Sequence, residues 1–198
     1  MKLIIASNNA HKIREIKAIL GERFDEILSM REAGLDMEIE ENGTTFCENA
    51  LIKARAVAEA TGCAALADDS GLSVDALNGA PGVYSARYGG EGLDDVGRYQ
   101  LLLQNMRGMS RGAKIVSVST CCFPNGDVLT ARGECPGTIA FAPMGEGGFG
   151  YDPVFFIPQL KKTFAQLTAD EKNAISHRGK ALEVFKEKLE HYMNEKKE

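Results

Sequence analysis

A mixed α/β fold, with helices flanking a β-sheet in a single domain, is what this sequence predicts, and three observations carry that reading. Residues 2–20 run from an apolar segment through a polar loop into an amphipathic segment, the pattern of a strand, a loop and a helix. Residues 45–75 place a helix-period stretch ahead of a second apolar run. Residues 113–139 hold two β-rich runs joined by Pro124, Asn125, Gly126 and Asp127, and Asn-Gly is a strong hairpin signal, so part of the sheet is antiparallel. With 198 residues and 44% hydrophobic content the chain can build one substantial core, or two lobes on one sheet. No internal repeat or low-complexity segment divides it, and one domain over residues 1–198 is expected.

Taken in order, residues 2–6 read as a buried strand. Ser7, Asn8, Asn9, Ala10, His11 and Lys12 follow, and Ile13, Ile16, Ile19 and Leu20 then mark one face of a helix that Gly21 stops. A helix start offers backbone N–H groups and a positive dipole end, and Lys12 adds a cation. Either an anion is held there or Asn8 or Asn9 caps the helix in the ordinary way. Residues 26–29 suggest a short strand, and residues 36–42 are acidic. Thr45 and Glu48 stand at capping-box spacing before a second helix, whose stripe is Phe46, Ala50, Leu51, Ala54, Val57 and Ala58 and whose stop is Gly62.

Asp68, Asp69, Ser70 and Gly71 then interrupt the apolar run of residues 64–75. Such a junction puts two carboxylates at a strand end, the edge of an α/β sheet where ligands collect. The same four residue types also favour a plain turn. Residues 78–90, dense in Gly and Pro, read as a structured loop. A helix is expected across 94–106, with Val96, Tyr99, Leu102, Leu103 and Met106 able to pack. Gly145, Gly147, Gly148 and Gly150 crowd the approach to residues 151–156, which read as a buried strand, and glycine at that density permits close backbone approach to a ligand. A terminal helix buries Leu182, Phe185, Leu189 and Tyr192, with residues 195–198 a frayed tail. At its start, Ser176, His177 and Arg178 are either donors for an oxygen-rich ligand or a capping serine beside two solvated bases.

The balance of 23 basic against 28 acidic residues gives a net charge of -5, which argues against a sequence-independent grip on nucleic acid. Cys47, Cys63, Cys121, Cys122 and Cys135 are odd in number and lack CxxC spacing, so reduced and mostly buried thiols are expected rather than zinc or disulfides. The first apolar run is too short for a signal-peptide core, and no later run reaches the length of a membrane span. A cytoplasmic location with no membrane partner is the expectation.

Five motifs occur in one order: residues 7–12, 45–50, 67–72, 148–153 and 175–179, with residues 79–87 filling the middle. Together they resemble the inosine triphosphate pyrophosphatase family, over residue 2 to about residue 190. The resemblance implies an elongated mixed β-sheet with flanking helices, in two lobes about a central cleft, assembled as a homodimer. It implies magnesium-dependent hydrolysis of non-standard purine nucleoside triphosphates (ITP, dITP, XTP) to the monophosphate and pyrophosphate. Matched by position, Ser7, Asn8, Asn9, Ala10, His11 and Lys12 are similar to the triphosphate cradle. Glu41 and Asp69 match the metal-side carboxylates, Asp69 also the general base, and Asp68 and Glu48 are acids suited to further metal-bound waters. Ser70, Phe149, Gly150, Tyr151, Asp152, Lys172, His177 and Arg178 match the substrate-binding set, with Arg178, His177 or nearby backbone reading the 6-oxo group and Phe149 stacking on the purine. Two departures stand out: no glycine precedes Thr163 in residues 158–163, and Met144 occupies a position where arginine is frequent. A binding module without hydrolysis is the competing reading, against which the carboxylates Glu41, Asp68 and Asp69 weigh. Hydrolysis of modified pyrimidine or methylated nucleotides is another, against which residues 176–179 weigh.

Overall fold

The computed structural model describes residues 1–196. Seven strands, β1 (Lys2–Ile5), β2 (Glu26–Ser29), β3 (Ala64–Val74), β4 (Gly112–Cys122), β5 (Val128–Ile139), β6 (Phe155–Ile157) and β7 (Lys162–Thr163), lie in the order β2-β1-β3-β4-β5-β6-β7. The helices are α1 (Ala10–Leu20), α2 (Phe46–Thr61), α3 (Asp95–Asn105), α4 (Ala169–Ile175) and α5 (His177–Glu195). β1 is parallel to β2 and β3, which are reached through helical connections, and β6 is antiparallel to β5 and β7. The sheet is therefore mixed, as the sequence predicts. Of the tail expected at residues 195–198, residues 197 and 198 lie outside the described residues.

The chain divides into two compact units: Met1–Asp69 with Ser117–Gly133 and His177–Glu198, and Ser70–Val116 with Glu134–Ser176. In the first unit residues 3–5 of β1, 64–69 of β3 and 117–122 of β4 are buried on both faces, and period-two alternation decides which residue meets which helix. Leu3 and Ile5 of β1 and Ala64 and Leu66 of β3 join Ile16 and Leu20 of α1 and Leu182, Phe185 and Leu189 of α5. Ile4, Ala6, Ala65 and Ala67 instead join Ala50, Ala54 and Val57 of α2. The helix starts form as their sequences require. Asn9 Oδ1 accepts from the amides of His11 and Lys12, and Thr45 and Glu48 complete a reciprocal capping box.

β3 runs unbroken from Ala64 to Val74, so Asp68, Asp69, Ser70 and Gly71 form neither a strand end nor a turn. Turn-favouring residues are carried into the strand because β1 and β4 flank it and both acids find tertiary partners. At β5, Gly133 lets α5 approach closely: a Cβ there would stand 2.2 Å from the His177 carbonyl oxygen and 2.4 Å from the Ala181 nitrogen. Backbone atoms of a packed helix cannot step aside. Gly133→Ala is expected to destabilise the protein by about 1–3 kcal/mol, measured as a lowered urea midpoint.

In the second unit, Leu102 and Met106 of α3 pack with Leu72, Val74, Ile115, Ile139, Phe155 and Phe164. Val96 points outward instead of joining them. Residues 151–154 form turns, and the strand expected there begins only at Phe155. The β6–β7 turn places Lys161 at φ 53°, a left-handed backbone that glycine adopts more easily. This is where a missing glycine would have been accommodated. Lys161→Gly is expected to raise stability by up to about 1 kcal/mol, read from the thermal midpoint.

Candidate active site

Adjacent residues on a strand point to opposite faces, and at β3 this sends two neighbouring carboxylates into different surroundings. Asp68 shares the face of Ala64 and Leu66, toward α1 and α5, and is fully buried. Arg178 grips it with two parallel bonds, Nε to Oδ1 at 3.2 Å and Nη2 to Oδ2 at 3.1 Å. Lys12 Nζ lies 2.9 Å from Oδ2, and the Ser117 hydroxyl donates to Oδ1. Arg178 also donates from Nη1 to Glu15. Two acids and two bases thus balance inside the unit. Burial alone pushes the Asp68 carboxyl up, but Arg178 and Lys12 outweigh it and hold the group well below the usual carboxylate range.

Asp69 shares the face of Ala65 and Ala67, toward α2. Its partner there is Lys53, whose Nζ is 3.6 Å from Asp69 Oδ1, 3.0 Å from Glu41 Oε2 and 3.0 Å from the Asp68 carbonyl oxygen. Asp69 Oδ2 is buried and has no hydrogen-bond partner among the described residues. Burial raises the Asp69 carboxyl, with Lys53 and Lys12 opposing and Glu41 and Asp68 reinforcing the rise. One aspartate is therefore held as an anion, while the carboxyl of its neighbour is raised. Paired groups whose surroundings push their proton affinities apart are the mark of an acid–base site.

Of the residues expected to hold triphosphate, Lys12 reaches this cluster. Ser7 Oγ accepts from the Asn9 amide, Asn9 caps α1, and Asn8, Asn9, Ala10 and His11 are exposed. Asp68 does not stand ready for metal-bound water as expected, and Glu48 gives one of its two oxygens to the helix cap. Asp68 is saturated by Arg178, Lys12 and Ser117, and Glu48 Oε2 accepts from the Thr44 amide and hydroxyl and from the Thr45 amide as part of the cap. His177 and Arg178 open α5 and are buried. Lys53, Glu15 and Ser117 join this cluster and were missed by sequence reasoning. Lys53 had a readable signal, a lysine three residues after Ala50 and four before Val57 on the buried stripe of α2.

A metal ion fits the acid side of this cluster. Asp69 offers a buried oxygen with no donor, Glu41 a second carboxylate held by the same lysine, and hard oxygen donors suit magnesium, which takes one or two carboxylates and fills its sphere with water and phosphate. Among the described residues no group of three or more His, Cys, Asp or Glu side chains could enclose an ion. Its remaining ligands would come from water and substrate.

In the second unit, Ser70 continues β3, partly exposed. The glycine loop is organised by Asp152, whose Oδ2 accepts from Lys172 Nζ at 2.7 Å and from the Phe149 amide at 3.0 Å. The ammonium of Lys172 also lies 4.8 Å from the Phe149 ring centroid. Gly148 has φ 72°, and a Cβ there would lie 2.1 Å from Asp152 Oδ2. The Gly150 amide donates to Asp95 Oδ2 at 2.8 Å, and the Tyr151 hydroxyl donates to the Ser85 carbonyl at 2.7 Å. The sequence-expected residues Phe149, Gly150, Tyr151, Asp152 and Lys172 therefore form one interlocked group.

The Ham1 family model matches residues 3–188. A dITP/XTP pyrophosphatase of Clostridium perfringens is 49% identical over 197 residues, covering 95% of this chain and 97% of its own. Another, from Bacillus subtilis, is 46% identical over 190 residues, covering 94% and 96%. The solved structure of the Staphylococcus aureus Ham1 protein superposes with a TM-score of 0.86 at 41% identity, over 97% of this chain and 100% of that one. With the ordered motifs, the mixed sheet and a match across nearly its whole length, this chain belongs to the Ham1 family.

Proposed function

We propose that this protein is a nucleoside triphosphate pyrophosphohydrolase that cleaves non-standard purine nucleotides (ITP, dITP, XTP) to the monophosphate and pyrophosphate, removing them from the nucleotide pool. The observation that carries the reading is the pair Asp68 and Asp69, one neutralised by buried Arg178 and part-buried Lys12 and the other left, among the described residues, with a partnerless oxygen beside Lys53 and Glu41. Membership of the Ham1 family, and relatives named dITP/XTP pyrophosphatases, support it.

Asp69 accepts the proton of a water that attacks the α-phosphorus, and the bond to the β-phosphate oxygen breaks as pyrophosphate leaves. No covalent enzyme intermediate is needed. Asp69 and Glu41 would hold magnesium, which when bound supplies charge neutralisation on the phosphates. Lys12, Lys53 and the α1 start, with Ser7, Asn8, Asn9, Ala10 and His11, face the triphosphate and stabilise charge on the leaving group. Ser70, Phe149, Gly150, Tyr151, Asp152, Lys172 and His177 form the rest of the substrate-binding set, Phe149 offering a ring face for stacking. Arg178, expected as a direct base reader, serves this reading better as the residue that positions Asp68, because three of its donors already meet carboxylates. The working form is a cytoplasmic homodimer. No helix among the described residues is long and apolar enough to cross a membrane.

Pyrophosphate release from ITP, dITP, XTP, GTP, ATP and dTTP, with and without magnesium, tests the reading. Release confined to the first three and dependent on magnesium is expected. Equal rates on all six would sink the selectivity, and tight ITP binding without release would favour the binding module. Lys53→Met is expected to lower kcat/KM for ITP by about 10²–10³-fold, and a loss below tenfold would remove Lys53 from the site.

A further inference from the structure

At the C-terminal end of α3, in the second unit, a concavity of about 430 Å³ is lined by Gln100, Leu103, Gln104, Arg107, Arg111 and Phe141. None of these residues takes part in the proposed hydrolysis. The volume falls in the range of small-molecule sites, roughly 300–1,000 Å³. Gln100 and Gln104 lie one turn apart on the exposed side of α3, and Arg107 follows in the turn beyond it.

Arg111 is fixed in place by the backbone. Its Nε donates to the Ile139 carbonyl at 2.9 Å, Nη1 to Met106 at 3.2 Å and Nη2 to Ala140 at 2.5 Å. A guanidinium has five N–H donors, so two remain for a ligand. Among the described residues neither Arg107 nor Arg111 forms an ion pair with a carboxylate. Burial draws Arg111 down from the usual guanidinium value, and no acid opposes that fall.

Beside these cations stands Phe141, 86% exposed, with the Arg111 guanidinium carbon 4.7 Å from its ring centroid. A large aromatic left in water next to a fixed, uncompensated guanidinium lacks two things: a flat apolar face and negative charge. A second copy of this chain fits poorly, because a two-fold contact sets a patch against itself and would oppose like charges.

We propose that this concavity binds a small planar oxyanion of the nucleoside monophosphate class, with its ring on Phe141, its phosphate on Arg107 and the remaining donors of Arg111, and its ring substituents at Gln100 and Gln104. Arginine forks match phosphate oxygens bidentately, and carboxamides pair with the donors and acceptors of a heterocycle.

The sequence contains no tryptophan, so Phe141→Trp introduces a single fluorophore at the site. Its emission is titrated with AMP, adenosine, inorganic phosphate, benzoate and a Glu-rich peptide. Saturable quenching by AMP is expected, with adenosine and phosphate at least tenfold weaker, and with AMP at least tenfold weaker when Arg107→Ala is added. Arg107 is exposed, and unchanged thermal midpoints for both variants show that the fold is kept. Equal binding of AMP and adenosine, or an AMP response untouched by Arg107→Ala, overturns the anion site. Tighter binding of benzoate overturns the nucleotide class, tighter binding of the peptide reassigns the surface to a protein partner, and an emission change with protein concentration alone reassigns it to a second copy.

Discussion

Asp68→Asn is expected to destabilise the protein by about 3–5 kcal/mol. The substitution leaves the positive charges of buried Arg178 and part-buried Lys12 without the carboxylate they share, and removing one partner of a buried charge network is far more damaging than replacing the whole network. The same cluster sets a pH dependence. Folding holds the Asp68 carboxyl below its unfolded value of about 3.9, so its contribution is fully present above that range and is lost as the pH falls through the depressed native value. Urea midpoints at pH 7 and in acid check both statements. The variant should lose stability at pH 7 and show a flatter acid limb than the parent, and a loss below about 1 kcal/mol would mean that the cations do not depend on Asp68.

Asp69→Asn, one residue along, is expected to behave in the opposite way. Loss of a general base typically lowers kcat by about 10²–10⁴-fold, and that loss is expected here with ITP binding retained. Its midpoint in metal-free buffer should not fall. Folding raises the Asp69 carboxyl, so the charged form opposes folding at neutral pH and an uncharged amide removes that opposition. Pyrophosphate release and urea melts on the two variants side by side separate catalysis from structure. Near-normal turnover in Asp69→Asn would remove it as the base.

Local signals in the sequence proved readable. The Thr45 and Glu48 capping box, the Asn9 cap, the apolar stripes of α1, α2 and α5, and the 124–127 hairpin turn each depend on residues within a few positions of one another. Neither the strand end nor the turn that residues 68–71 suggest is formed, for the converse reason. Local propensity favours a bend there, while flanking strands and ion pairs from distant segments keep β3 extended.

By itself, then, the sequence determined the mixed α/β class, the caps of α1 and α2, the ordered motifs and the presence of two adjacent acids, while α4 went unread. Once the structure shows β3 extended through them, period-two geometry turns those acids to opposite faces. Only the tertiary structure decided what waits on each side, because Arg178 is 110 residues from Asp68 and Ser117 is 49, while Lys53 arrives on α2 from the other face. Charge and burial act through space, so the division of labour between Asp68 and Asp69 appears only when those segments are folded against β3.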